Sequence, residues 1–448
     1  MAHVKDMTEG TPLPLILKFS IPLILGNLLQ QTYSLIDAAI VGRFLGINAL
    51  ASVGASSSVI FLILGFCTGC CGGFGIPVSQ KFGARDYVTM RRLVAVSMKL
   101  SWVLSVAFAV VTSLMCATIL GWMQTPEAIF EGAYTYLVVI FLGIPCSFFY
   151  NLLASVIRAL GDSNTPFYFL VFSTILNVVL DLLFILVFNW GVGGAAFATV
   201  VSQGVSALLC YRYMYQKFEI LHTKPEDRKF RWDLAKQLLL IGTPMGLQFS
   251  ITAIGSIMIQ SANNALGTIC VAAYTASVRI EMIFICIVES LGIAMATFCG
   301  QNYGAGKPER IWLGVKSAGK LTFIYAALVN IVLWSLAENF AALFVSSGEL
   351  EVIEKTALYV HITACFFPLL GILCILRYSI QGAGYTNLAM FSGVAEMVAR
   401  ILVSVIAVPI WGFYAVCYGD GIAWVFADVF LIPAFFYVYR RLQLIVKN

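Results

Sequence analysis

Four oxygen-bearing side chains stand out in an otherwise apolar chain: Asp37, Asn177, Asp181 and Thr199. An ionisable group inside a long apolar stretch costs about 3 kcal/mol on insertion scales, which makes it a functional candidate by default. Asn177 precedes Asp181 by four residues, so the two share one helix face. Two carboxylates, an amide oxygen and a hydroxyl in one place would suit a small hard cation such as Na⁺. Equally, the two acids could share a proton. A hydrogen-bonded packing role is the bland alternative, but two acids without a neutralising cation are costly for packing alone. Tyr33 lies one turn before Asp37 on the same face, with Gln30 three residues earlier, and Asn151 lies in a separate apolar stretch. If they face a cavity, such aromatic and amide groups can bind flat organic cations by stacking and cation–π contact.

The elements that must position these groups follow from composition. The 448 residues are 60% hydrophobic and 11% charged, whereas soluble domains carry about 25% charged residues. The surrounding solvent is therefore mostly lipid. Stretches long enough to cross it are expected at 14–43, 48–76, 93–122, 131–158, 166–188, 193–215, 234–264, 269–299, 312–345, 356–383, 387–410 and 414–439. The fold class is thus all-α integral membrane with twelve transmembrane helices, and the absence of strand-type alternation excludes a β-barrel. Of the 27 Lys and Arg, 22 lie in or beside the inner loops when the N-terminus is placed inside; Arg43 and Lys355 fall in outer loops, and Lys99, Arg279 and Arg400 fall within spans. The positive-inside rule then puts both termini in the cytoplasm, as expected for a multi-pass protein of a cytoplasmic (inner) membrane. Met1 to Pro14 reads as a short cytoplasmic arm without the pattern of a cleavable signal. On this topology Asp37 and Asp181 each lie about seven residues before the outer end of a span, and Thr199 about seven past an outer start. At a rise of 1.5 Å per residue, all reach roughly 10 Å below the outer surface.

The two halves of the chain repeat. Pro22 answers Pro244, Leu45-Gly46 answers Leu266-Gly267, and Gln80-Lys81-Phe82-Gly83-Ala84-Arg85 answers Gln301-Asn302-Tyr303-Gly304-Ala305-Gly306. Ile157 to Gly161 resembles Ile380 to Gly384, and Trp190-Gly191 matches Trp411-Gly412. Six spans per half is an even number, so the repeat is parallel and gives two pseudo-symmetric six-helix bundles. The expected division is an N-lobe over 1–216, a cytoplasmic linker over 217–233 and a C-lobe over 234–448. Two such bundles can rock about a central cavity and so alternate access. The polar site is not duplicated, because Asp37, Asn177 and Asp181 answer Ile259, Val398 and Leu402. The carboxylates are accordingly expected to concentrate in the first half. The second half offers Arg279, Glu281 and Glu289 in one span, with Glu396 and Arg400 four residues apart in another. The last two read as a structural ion pair, while Arg279 and Glu281 are expected deep and cavity-facing, with a gating role open to them.

Other readings are weaker. The 12 Cys are scattered, and the cluster of Cys67, Cys70 and Cys71 has too few of the chain's three His (His3, His222, His361) near it for a metal centre. Lys224, Arg228, Lys229 and Arg231 read as a solvated linker that orients helices, not as a nucleic-acid site. No HExxH, GxSxG or Walker-type motif is present, so an enzyme is not expected, and nothing resembles a channel filter. No cofactor is implied. The partners are the bilayer and small organic molecules, and the chain is expected to be a monomer.

Taken together, the segments Pro22 to Gly46 (PLILGNLLQQTYSLIDAAIVGRFLG), Asn177 with Asp181 and the following GVGGAAFAT, and GQNYGAGKPER at 300–310 resemble the multidrug and toxic compound extrusion (MATE) family. The resemblance covers nearly the whole chain. It implies two six-helix bundles and efflux of organic, often cationic, compounds against inward flow of Na⁺ or H⁺. The family's N-lobe cation site maps onto Asp37, Asn177, Asp181 and Thr199, its bending proline onto Pro22, and N-lobe cavity positions onto Tyr33 and Asn151. Some branches carry acids in spans seven and ten. Here span seven offers Gln248 and span ten has no acid, which implies a branch coupling through the N-lobe. A lipid-linked saccharide flippase of the related superfamily is the alternative, but such proteins often have more spans and a more basic cavity. Intramembrane Arg is here expected only at Arg279 and Arg400.

Overall fold

The computed structural model describes residues 5–222, 224–344 and 349–447. The first four residues of the expected arm, His3 included, lie outside the described residues. The helices in chain order are α1 (Pro12–Leu45), α2 (Ile47–Gly83), α3 (Tyr87–Trp122), α4 (Glu127–Leu142), α5 (Ile144–Ala159), α6 (Asn164–Leu182) and α7 (Gly191–Lys217). After two short 3₁₀ turns come α8 (Trp232–Asn264), α9 (Thr268–Gly304), α10 (Pro308–Ala342), α11 (Leu350–Gly382), α12 (Thr386–Leu402), α13 (Val408–Trp411) and α14 (Phe413–Lys447). Among the described residues, eleven stretches are long and apolar enough to cross a membrane, and α4 with α5 makes a twelfth. Helices suit this solvent because each satisfies its own backbone polar groups where lipid offers no partner.

The fourth span is broken: α4 and α5 meet at an angle of 47°. Pro145 at the start of α5 cannot donate a backbone hydrogen bond, and Gly143 sits at the break, which together account for the bend. Its counterpart in the repeat, Pro368, lies inside the continuous helix α11. Elsewhere the backbone repeats closely. Gly46 and Gly267 start α2 and α9 with φ of 88° and 101°, and Gly161 and Gly384 follow α5 and α11 with φ of 84° and 90°. Both α6 and α12 run on into a five-residue π-helical turn, at Leu183–Val187 and Val403–Ala407.

The chain forms two compact units, one of Met1–Asp6 with Leu25–Gly246 and one of Met7–Ile24 with Leu247–Asn448. The division at 217–233 drawn from the repeat follows chain order, whereas the compact units cut α1 and α8 internally. Each cut falls two residues after a proline within the helix, Pro22 in α1 and Pro244 in α8. A mid-helix proline removes one hydrogen bond and crowds the preceding turn, so these are the points at which each helix bends most easily.

Within the first unit, the opening half of α8 lies tightly on α2. A Cβ added at Gly242 would meet the Phe74 ring at 2.5 Å and the Cys70 carbonyl at 3.0 Å, and one at Gly246 would meet Cys70 Sγ at 2.7 Å and the Phe66 carbonyl at 2.8 Å. Glycines four residues apart let helix backbones approach in this way. The cysteine cluster is part of this seam: Cys67, Cys70 and Cys71 are all buried, and Cys71 Sγ donates to the Phe148 carbonyl at 3.4 Å. Gly242→Leu is expected to prevent folding, read as loss of the monodisperse peak on size exclusion. Gly319→Ala, which meets open space, is expected to leave the peak intact.

The motif at 300–310 has a structural use in the second unit. Met7 N donates to Gln301 Oε1 at 2.8 Å, Asn302 Nδ2 donates to the Met7 carbonyl at 3.2 Å, and Lys307 Nζ to the Thr8 carbonyl at 3.0 Å. Arg310 donates to the carbonyls of Gly10 and Met7 and to Asn302 Oδ1. The segment before α1 is thus strapped to the turn between α9 and α10. In the first unit the segment before α8 is held in a related way, because Asp227 accepts from Arg91 at 3.0 Å and Arg92 at 3.2 Å on α3. Burial works against charge on Asp227, yet the hydrogen bonds from Arg91, the Lys224 backbone and Arg92 hold its carboxyl below the usual carboxylate range. Arg310→Ala is expected to destabilise the second unit by about 2 kcal/mol, the scale of a lost charged hydrogen bond. A lowered thermal midpoint in detergent would show it.

Candidate functional site

The first unit brings four helices to one polar place. α1 supplies Tyr33 and Asp37, α4 supplies Tyr136, α6 supplies Asn177 and Asp181, and α7 supplies Thr199. Asp181 is fully buried, and Asn177 and Asp37 are 1% and 8% exposed. The Asp37 and Asp181 carboxyl groups lie within hydrogen-bonding reach of each other. Thr199 Oγ1 donates to the Ala195 carbonyl at 3.3 Å and accepts from Asn177 Nδ2 at 3.2 Å. The Tyr33 hydroxyl is 3.1 Å from the same oxygen. With its one proton committed, Thr199 can only accept from Tyr33, which uses its second lone pair.

That arrangement leaves a defined set of free oxygens. Asp37 Oδ1, both oxygens of Asp181 and Asn177 Oδ1 are buried with no hydrogen-bond donor. Two facing carboxylates offer each other nothing to donate unless one holds a proton. A shared proton therefore satisfies the pair, and so would a hard cation taking these oxygens as ligands. The Asn177 orientation is itself fixed by Thr199, since its amide nitrogen donates to that hydroxyl and its oxygen is left buried without a partner.

Tyr136 was not among the residues selected from sequence. It is 6% exposed, and Asp37, Tyr33 and Asp181 all lie close enough to act on its hydroxyl electrostatically. Its signal in the sequence is depth: Tyr136 lies five residues past the expected outer start of the fourth span, at a level similar to that of Asp37, Asp181 and Thr199.

The remaining selected residues are placed differently. Gln30 is exposed on α1. Asn151 on α5 donates to the Ser147 carbonyl of its own helix at 2.8 Å. Pro22 lies inside α1 in the second unit, two residues before the cut between the units. Arg279 and Glu281 do not act together: Arg279 is exposed, while Glu281 is buried. Two residues apart on a helix, they point about 200° apart, so the expectation that both face one cavity fails on geometry. Gln248 accepts from Gln381 Nε2 at 2.7 Å, both buried in the second unit.

The second unit also corrects two expectations. Arg377, counted above with the inner-loop charges, lies inside α11: it is 7% exposed, donates to Ser392 Oγ at 3.0 Å and pairs with Glu396. The carboxylates are not concentrated in the first half, because Glu281, Glu396 and Asp428 are 6%, 3% and 4% exposed. Glu396 and Arg400 do meet, at 3.5 Å, but Arg400 binds Asp420 more closely, at 2.9 Å. Asp420 and Asp428 were passed over because α14 was read as an uninterrupted apolar span.

An all-helical, multi-pass architecture of two six-helix lobes defines a class of integral membrane protein. A family model described as MatE matches residues 22–183 and 244–406, one stretch in each half of the repeat. The chain is 31% identical over 379 residues to the probable multidrug resistance protein YpnP of Bacillus subtilis (strain 168), covering 85% of this chain and 84% of that one. It is 24% identical over 367 residues to the FAD transporter of Shewanella oneidensis, covering 80% of each. Among solved structures, an outward-facing multidrug resistance MATE family transporter of the MOP superfamily matches with a TM-score of 0.90 at 24% identity, covering 99% of this chain and 98% of that one. A crystal structure of MATE in complex with MaL6 matches with a TM-score of 0.89 at the same identity, covering 99% of both. Likeness at that identity speaks for the fold. This chain belongs to the MatE family.

Proposed function

We propose that this protein is a secondary antiporter of the inner membrane that exports organic, chiefly cationic, drugs or toxins by alternating access against inward flow of Na⁺ or H⁺. The observation that carries the reading is the buried pair Asp37 and Asp181, whose free oxygens need a proton or a cation. In this reading Asp37, Asn177 and Asp181 hold the ion and Thr199 sets the Asn177 amide. Tyr33, Asn151 and Gln30 belong to the substrate path, and Pro22 is the hinge of α1. The location of a unit boundary two residues beyond Pro22 supports that last assignment. The termini are cytoplasmic, the working form is a monomer, and neither enzymatic activity nor a resident cofactor is needed.

The substrate charge follows from the balance of acids. A lipid-linked saccharide flippase would want free buried cations for an anionic headgroup. Among the described residues the buried Arg377 and Arg400 are instead paired with Glu396 and Asp420. Relatives are named for multidrug resistance and for FAD transport, so the test panel should hold both kinds of compound. Cells lacking their own exporters and expressing this protein are expected to accumulate less ethidium and to grow at higher dye concentration. Unchanged ethidium accumulation together with exported FAD would replace the cationic substrate by a flavin nucleotide.

A further inference from the structure

The second unit contains a chain of hydrogen bonds whose donors can be counted. Arg400 Nε donates to Asp420 Oδ1 at 2.9 Å. The Tyr359 hydroxyl lies 2.9 Å from Asp420 Oδ2 and 3.4 Å from Glu281 Oε2. Tyr359 is fully buried, Glu281 is 6% exposed, and Glu281 Oε1 has no partner at all. Four helices contribute: α9 carries Glu281, α11 carries Tyr359, α12 carries Arg400 and α14 carries Asp420.

A phenol has one proton to give. The shorter contact, to an Asp420 that also accepts from Arg400 Nε, takes it. Glu281 then faces the tyrosine oxygen with nothing to receive. As a carboxylate it would be buried with one oxygen orphaned and the other opposed to a lone pair, an arrangement no buried charge tolerates without a partner. As a carboxylic acid it donates to the Tyr359 oxygen, and the chain closes: Glu281 to Tyr359, Tyr359 to Asp420, Arg400 to Asp420. We propose that Glu281 is a second proton-binding site, in which Tyr359 relays the proton between Glu281 and Asp420. In the relay the Glu281 O–H bond breaks as the Tyr359 oxygen takes that proton, while the Tyr359 proton passes to Asp420 Oδ2. Charge moves from Asp420 to Glu281 and no other reactant is needed.

One feature suits exchange with water. The Asp420 side chain is 16% exposed, whereas Glu281 at the other end is 6% exposed, so the Asp420 end of the relay is the more open one. The charged and titratable groups facing Glu281 are Tyr274 on its own helix, Tyr359 on α11, Arg400 on α12 and Asp420 on α14. None of these is a cation within bonding reach of Glu281. The site stands independently of the Asp37–Asp181 pair, which lies in the other unit.

The test is infrared spectroscopy of the full-length protein in nanodiscs at neutral pH, reading the carbonyl stretch of protonated carboxylic acids. In an Asp37→Asn/Asp181→Asn background, where the first-unit pair cannot contribute, a buried carboxylic-acid band is expected. Glu281→Gln should remove one component of it, apart from that of the buried and unpartnered Asp428, and Tyr359→Phe should shift that component by removing the acceptor. An unchanged spectrum in both variants would overturn the proposal. If Glu281→Gln does not yield folded protein, Tyr359→Phe decides alone, since loss of a hydroxyl leaves the fold's volume intact. The double background also separates the two claims: a band absent there but present in the wild type would locate all bound protons at Asp37 and Asp181 and refute Glu281.

Discussion

Replacing Asp181 by Asn is expected to abolish ion-driven export while leaving the protein folded. Asp181 is fully buried with both carboxylate oxygens free of donors, so the substitution removes the negative charge that either a proton or Na⁺ would neutralise. Asn has nearly the same shape, and a neutral amide beside Asp37 even supplies a donor that the acid pair lacks. Stability should therefore hold or rise slightly, whereas coupled transport should fall at least tenfold, the factor that about 1.4 kcal/mol makes in a rate. Asp37→Asn should do the same. Thr199→Val should weaken coupling less, because it releases the Asn177 amide without removing an acid. The readout is dye efflux from cells at matched expression, with thermal midpoint measured on the purified variants. A variant that loses export only because it has lost its fold would show a lowered midpoint, which the account does not predict for Asn.

The largest expected effect on stability lies in the other unit. Arg400 donates to Asp420 at 2.9 Å and lies 3.5 Å from Glu396. Arg400→Leu fills a similar volume but strips the cation from two acids, of which Glu396 keeps Arg377 and Asp420 keeps only the Tyr359 hydroxyl. Removing one member of a buried pair costs about 3–5 kcal/mol because the remaining charge is stranded. The added Glu396→Gln change should recover little of this, since Glu396 still has Arg377. Asp420→Asn in the Arg400→Leu background should recover most of it, and thermal melts of the three variants would rank them in that order.

How much of this was legible in the chain depended on the kind of residue. Apolar length and the placement of Lys and Arg suffice for twelve spans. Paired glycines and prolines suffice for the repeat, because tight turns and helix bends demand those residues wherever they recur. The Asp37, Asn177, Asp181 and Thr199 grouping was readable because spans of expected direction convert sequence distance into depth. Rotation about each helix axis is not readable that way. It decides that Arg279 is exposed while Glu281 is buried, and it brings Tyr136 to the pair. The acids of α14 were missed for a related reason. A span with two isolated carboxylates looks apolar on average, and only packing against α11 and α12 shows that Asp420 meets Tyr359 and Arg400. The exchange of helix halves at Pro22 and Pro244 also has no sequence signature beyond the prolines themselves.

The reading turns on whether the Asp37–Asp181 pair is where the ion gradient acts. Purified protein in liposomes, loaded with a fluorescent cationic dye, can be given a Na⁺ gradient or a pH gradient separately, with the membrane potential clamped. The account predicts dye flux driven by one or both gradients in the wild type. It predicts no gradient-dependent flux in Asp37→Asn or Asp181→Asn, although both should still bind dye. Gradient-driven flux of wild-type size in the Asp37→Asn/Asp181→Asn double variant would contradict it.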